Sequence, residues 1–295
     1  MPAAQAAGAL TMTAPQQYAQ RSPRSVTGHH TVSAEELHRF RAMLERASGT
    51  EGGRSVQDGT ALPLALLAAV AVRASGQLFA DGPPATVALH GAQSIRLLRP
   101  VHAGEELVSE CTIRSTKALA NGVMTEVSVR LAVGAEAVAE AGSLLVHKAP
   151  GAAAPARPPA PDRRCPAQGP VSGISVDREL VREYAAVSGD HNPIHLSEGA
   201  ALEAGFPGVI AHGMLTFALA EQHLRTGAGR VRPYELSLRF SRPLVIDGES
   251  AVLRMSDRPA RGTGPDHESV SLTAADRDGT TVATGRAALR PRNEL

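Results

Sequence analysis

The sequence predicts an α+β fold built twice from one unit, a long buried helix followed by an antiparallel sheet. Three observations carry this. Residues 61–78 (ALPLALLAAVAVRASGQL) are apolar on nearly every face up to Arg73, and a helix apolar all round is a buried one. Residues 87–98, 107–115, 123–133 and 137–147 alternate or are rich in β-branched residues, with Gly and Asn between them, which reads as consecutive antiparallel strands. The pattern then returns at an offset of 143 residues: Ser94-Ile95-Arg96-Leu97-Leu98-Arg99-Pro100 aligns with Ser237-Leu238-Arg239-Phe240-Ser241-Arg242-Pro243, Val127-Ser128-Val129 with Val270-Ser271-Leu272, and Gly142 with Gly285. Self-similarity at one offset means two copies of one structural unit, and in such a unit the sheet must cover the helix.

Taken in order, residues 1–28 are rich in Ala, Gln and Ser without apolar period and read as a disordered leader, with Met12 as an alternative start. Ser33-Ala34-Glu35-Glu36 has the form of a capping box and opens a helix running to about Ala47. Residues 51–60 read as a loop. Residues 149–170 are Pro- and Ala-rich, the composition of an extended, semi-rigid linker. Beyond it the order repeats: a helix over 176–187, a short helix over 198–204, a central helix over 213–224, and strands over 234–240, 250–255, 268–274 and 281–289. The expected divisions are therefore a leader (1–28), an N-terminal unit (29–148), a linker (149–170) and a C-terminal unit (171–295).

Composition narrows the function classes. Thirty Lys and Arg stand against 29 Asp and Glu, with a pI near 8.0, so charge gives no argument for a nucleic-acid partner. Cys111 and Cys165 are far apart and read as reduced thiols of a cytosolic protein. No Cys/His set has zinc spacing, so no metal is expected, and no cofactor either. No charge-free apolar run approaches the length of a membrane span, and the first residues lack the pattern of a signal peptide. The expectation is a cytoplasmic protein.

The informative stretch runs from Tyr184 to Met214 (YAAVSGDHNPIHLSEGAALEAGFPGVIAHGM). Pro193 forbids a regular helix there, and Asp and Asn just before it bond their own backbone. Residues 189–195 thus read as a tight loop able to aim the Asp190 carboxylate and the His195 imidazole at one point. Downstream, His212-Gly213-Met214 opens an apolar run, a helix start whose free N–H groups would face a pocket. At the 143-residue offset the counterparts of Asp190 and His195 are Ala47 and Gly52. Only the C-terminal unit therefore carries the pair. Each residue also has a plainer reading: Asp-x-Asn-Pro is commonly just a turn, and a His after Pro-Ile is commonly a satisfied core residue.

The set as a whole, Tyr184, Ser188-Gly189-Asp190-His191-Asn192-Pro193-Ile194-His195 and then His212-Gly213-Met214 seventeen residues on, resembles the MaoC-like, (R)-specific enoyl-CoA hydratase family over about residues 174–245. The resemblance implies a double hot-dog, two sheets wrapped around two central helices, with one active site per chain and the N-terminal unit as a wall of the acyl tunnel. It implies Asp190 and His195 as an acid–base pair holding one water, and the Gly213 amide as oxyanion donor. Asn192, His212, Met214 and Arg232 are the expected substrate-side residues, with Asn192 fastening the loop and His212 shaping the turn. Arg230, Arg232, Arg239 and Arg242 could meet phosphates, although Arg239 and Arg242 repeat Arg96 and Arg99 and so look like scaffold positions. Where some family members carry a Ser on the central helix, this chain has Glu221, so that role is not carried over. The implied partner is an acyl-CoA or acyl-carrier-protein thioester, and the chain would be a monomer or homodimer. A hot-dog thioesterase and a non-catalytic acyl-thioester-binding subunit are the competing readings.

Overall fold

The computed structural model describes residues 25–49, 60–80, 87–120, 122–148, 171–227, 231–260 and 268–291. The expected linker (149–170), most of the expected leader and Cys165 lie outside these residues. The N-terminal repeat comprises β1 (Ser25–Thr31), α1 (Ala34–Ser48), α2 (Leu64–Ser75), β2 (Val87–Leu97), β3 (Glu106–Leu119), β4 (Gly122–Val133) and β5 (Glu136–Lys148). The C-terminal repeat comprises β6 (Val171–Asp177), α3 (Arg178–Ser188), α4 (Glu198–Glu203), α5 (Gly213–Gly227), β7 (Val231–Phe240), β8 (Ser250–Pro259), β9 (Glu268–Ala275) and β10 (Thr281–Pro291).

All ten strands join in one antiparallel sheet of order β1-β3-β4-β5-β2-β7-β10-β9-β8-β6. Each half presents the same five-strand order, and the halves meet where β2 pairs with β7 from Ala92↔Arg239 to Arg96↔Glu235. At the centre of that ladder Ser94 faces Ser237, its own counterpart in the duplication. The pseudo-twofold axis therefore passes between these two serines. This is the double hot-dog that the family resemblance implied, and the edge-to-edge join could not be read from spacing.

The two opening strands were missed. Residues 25–28, assigned to the leader, begin β1, and residues 176–177, assigned to a helix, end β6. Both lie on the outer edges of the sheet, and neither carries a long alternating apolar run. Helix α1 starts as expected, with the Ser33 hydroxyl accepting from the Glu36 amide at 3.0 Å. The Glu36 carboxylate completes no box and turns to Arg73 instead, at 3.5 Å.

Helices α2 and α5 form the centre of the core. Leu66, Leu67, Ala68, Val70 and Ala71 on α2, and Leu215, Phe217, Ala218 and Leu219 on α5, are at most 1 % exposed. Helix α2 starts after Pro63, which offers no side-chain cap. Its cap comes from the other repeat. The buried Glu221 carboxylate accepts from the Leu64 amide at 3.1 Å and the Ala65 amide at 2.7 Å, and Arg225 one turn along α5 donates to it at 3.1 Å. A carboxylate at a helix N-terminus satisfies orphan amides and meets the positive end of the helix dipole.

Removing one partner from a buried charged network leaves the others unpaired, which costs about 3 kcal/mol or more. Glu221→Ala is accordingly expected to lower the unfolding free energy by about 3 kcal/mol, read from urea denaturation. Glu221→Gln, which keeps one acceptor, should lose less.

Candidate active site

The loop between α3 and α4 is built by a chain of local bonds. Helix α3 ends at Gly189, whose φ of 76° is the left-handed conformation that glycine adopts without a Cβ penalty. Its amide donates to Ala185 O at 2.9 Å. The Ser188 hydroxyl donates to Tyr184 O at 2.7 Å and accepts from the Asp190 amide at 3.2 Å. Asp190 Oδ1 then accepts from the Asn192 amide at 3.2 Å, the self-bonding turn that Asp favours. Asn192 Nδ2 donates to Ala88 O at 3.0 Å, so this residue ties the loop to β2 of the other repeat, the fastening role read from the sequence. Pro193 opens a single 3₁₀ turn that ends at His195.

His195 is buried, and its Nδ1–H donates to Ile210 O at 2.9 Å. That bond fixes the tautomer and leaves Nε2 as an acceptor. His212, 1 % exposed, donates from Nε2 to the Asp190 carbonyl at 3.0 Å. Its ring lies against that of His195, with centroids 3.9 Å apart, and against Tyr184 at 5.1 Å. His212 thus clamps both Asp190 and His195. One side-chain atom from each of Asp190, His195 and His212 lies within 4.8 Å of the others. These are also the atoms that would ligate a cation were one bound there.

Helix α5 begins beside them. The Leu215 and Thr216 amides donate to His212 O at 3.1 and 3.2 Å. The Gly213 and Met214 amides, which open the helix, have no acceptor among the described residues. An added Cβ on Gly213 would sit 3.5 Å from His90 Cβ and from the Phe240 ring.

A cavity of about 790 Å³ joins these parts. Asp190, Asn192, His195, Gly213, Met214 and Thr216 line it, together with Tyr184. It lies where the β2–β7 ladder stops short, between Leu89-His90-Gly91 and Phe240-Ser241. Of the substrate-side candidates, Asn192 and Met214 line the cavity, whereas His212 packs against His195 and Tyr184 and Arg232 stands on β7 opposite Arg290, neither being among the lining residues. Arg239 and Arg242, read as scaffold, do line the cavity. Strand facing so near a bulge does not follow from sequence period. His191 is exposed, as its peripheral reading implied.

The sequence reading missed what the N-terminal repeat supplies. His90, His147 and Lys148 line the same cavity, and His90 Nε2, His147 Nε2 and Lys148 Nζ are buried with no hydrogen-bond partner among the described residues. The Phe79 ring rests on His147 at 4.6 Å, and Lys148 Nζ lies 5.6 Å from the Phe206 ring centroid.

Burial governs the electrostatics. It pulls the His195 pKa below its ordinary value, partly opposed by the Asp190 charge. It pulls His212 down to about 4, helped by His195, and His90 down to about 4, opposed by Asp190. Desolvation disfavours the charged imidazole, so all three rings are neutral at neutral pH.

Comparison with known proteins agrees with this geometry. Residues 163–258 match the model of the MaoC-like domain family. A 3-hydroxyacyl-thioester dehydratase X from Mycobacterium tuberculosis is 26 % identical over 159 residues, 54 % of this chain and 56 % of that protein; the match spans only about half the relative's length. Among solved structures, one described as a MaoC-like dehydratase superposes with a TM-score of 0.73 at 19 % identity, covering 92 % of this chain and 99 % of the other. The HtdX crystal structure from Mycobacterium tuberculosis gives 0.67 at 22 % identity, covering 91 % and 100 %. Residues 163–258 are thus similar to a MaoC-like domain, and the fold is a double hot-dog.

The neutral histidines make stability depend on acid. The unfolded imidazole titrates near 6.5 and the folded His90 and His212 near 4, so between these values the unfolded chain binds more protons. The stability is present above about pH 6.5 and is lost as the pH falls toward 4, by about 3 kcal/mol for one such histidine. Urea midpoints at pH 7, 5.5 and 4.5 should fall accordingly, and less steeply in His212→Gln.

Proposed function

We propose that the chain catalyses reversible hydration of trans-2-enoyl thioesters to (R)-3-hydroxyacyl thioesters, carried on coenzyme A or an acyl carrier protein. The observation that carries this reading is the convergence of the Asp190 carboxylate, His195 Nε2 and the two unaccepted amides of the α5 N-terminus on one cavity within a MaoC-like domain.

Hydration adds the hydroxyl of one water to Cβ and a proton to Cα. Asp190 Oδ1 already accepts one amide, and its second oxygen has no partner among the described residues. A water held between that oxygen and His195 Nε2 loses a proton to the pair as its oxygen attacks Cβ. The pair returns a proton to Cα, and each member acts as acid or base according to direction. Attack builds enolate charge on the thioester oxygen. The Gly213 amide faces it at the positive end of α5, where a pre-aimed donor stabilises charge without reorganising. Buried and neutral, His195 is ready to accept a proton at neutral pH. His212 acts through the other two by holding the Asp190 backbone and stacking on His195.

The test is loss of conjugated-thioester absorbance with crotonyl-CoA and with octenoyl- to dodecenoyl-CoA, product handedness being read by (R)- or (S)-specific dehydrogenases. The expected result is (R)-product, with Asp190→Asn slower by about 10²-fold or more. Release of free thiol without hydration would favour the thioesterase reading. Undiminished activity in Asp190→Asn would overturn the mechanism.

A further inference from the structure

The geometry points to His90, on the repeat that lacks the Asp/His loop, as a second hydrogen-bond donor to the thioester carbonyl, beside the Gly213 amide. This rests on the hydratase reading of the site.

On β2, Gln93 lies opposite Ser143 and Ile95 opposite Ala141, and Gln93 and Ile95 are buried on the helix-facing side. Strict alternation from these odd positions would turn Leu89 and Gly91 inward and His90 outward. The register breaks between His90 and Ala92, leaving Gly91 without an opposite residue. One extra residue reverses the facing of everything before it. His90 therefore stands opposite Leu145, and Ala88 opposite His147, on the cavity side.

The same irregularity exists in the other repeat. Between β7 and β10 the register breaks so that Glu235 faces Ala288 and Pro233 faces Leu289, with Tyr234 skipped. Tyr234 is the counterpart of Gly91 at the 143-residue offset, and Pro233 is the counterpart of His90. The bulge thus belongs to the duplicated scaffold, whereas the imidazole does not. The pseudo-twofold axis makes β2 of one repeat the wall for the other repeat's loop. The wall at Asp190 and His195 carries His90; the matching position on β7, Pro233, carries a proline, which has no donor at all.

His90 is placed to reach the reacting carbonyl. Its Cβ lies 3.5 Å from where a Gly213 Cβ would be, so the side chain starts against the helix end that would receive the enolate oxygen. Its Nε2 is buried and has no partner among the described residues. A buried polar atom left unpaired costs stability unless a ligand satisfies it. Neutral above about pH 4, the ring carries one N–H, and in the Nε2–H tautomer that a facing carbonyl would select it donates without competing with Asp190 or His195 for the proton. A donor aimed at developing oxyanion charge is worth about 10²–10³ in rate.

The test compares His90→Leu, which keeps bulk without a donor, with His90→Gln, which keeps an N–H. The full chain is assayed on crotonyl-CoA, and the carbonyl stretch of crotonyl-CoA bound to the slow Asp190→Asn variant is recorded with and without His90→Leu. Expected is a kcat about 10²-fold lower in His90→Leu with KM nearly unchanged, at least tenfold recovery in His90→Gln, an unaltered pH profile, and a higher carbonyl frequency once His90 is gone. A His90→Leu enzyme with ordinary kcat overturns the inference while leaving the hydratase reading intact. A loss that His90→Gln does not recover, with an unchanged carbonyl frequency, reduces His90 to packing. Wild-type chain that neither binds nor turns over an enoyl thioester overturns both.

Discussion

Five residues of β2 paired with five of β7 hold this molecule in register. The ladder is centred on Ser94 opposite Ser237, so each repeat meets its own image there. Close approach at this seam is built into the strands beside it: a Cβ on Gly285 would come within 2.0 Å of Ser237 O, and one on Gly142 within 2.9 Å of Ser94 Oγ. From that axis the rest follows. The two central helices share one core beneath the single ten-stranded sheet, and the Asp190–His195 loop is walled by the first residues of β2 from the other repeat. The cavity exists because the ladder is short: past Ala92 and Arg239 the strands part, and the gap is what Asp190, His195 and Gly213 look into.

The Asp190–His195 loop was legible because its chemistry is local. Gly189, Asp190, Asn192 and Pro193 shape one turn through bonds spanning two to four residues, and such bonds leave a mark in the sequence. The duplication was legible for a similar reason, since equal spacing survives where identity does not. What escaped were facts of facing and of edges. His90 reads as one more residue of an ordinary strand until the unpaired Gly91 is known. Arg232 and Arg239 lie on the same strand with only the second at the cavity, and nothing in their neighbours separates them. Strands β1 and β6 are edge strands with one ladder partner each, so selection for apolar alternation is weak there.

Within the site, burial and charge are set against each other with different results for each ring. The Asp190 carboxylate favours protonation of its imidazole neighbours, and desolvation disfavours it more strongly. The outcome is a set of uncharged rings around one carboxylate. His195 keeps a lone pair, His212 holds position by a backbone bond, and His90 retains an unspent ring nitrogen. Hydrogen bonds to backbone carbonyls, which cannot move with pH, settle two of the three tautomers.

The Glu221 cap bears on how such a chain evolves. After a duplication each copy begins with an open helix end. Here one end faces the cavity, and the other, at Leu64 and Ala65, is stoppered by a carboxylate from the C-terminal repeat's central helix. Separating the two copies would strand that carboxylate in the interior of one and bare the amides of the other. The dependence crosses the seam at the helix end as well as at the strands: each half completes the other.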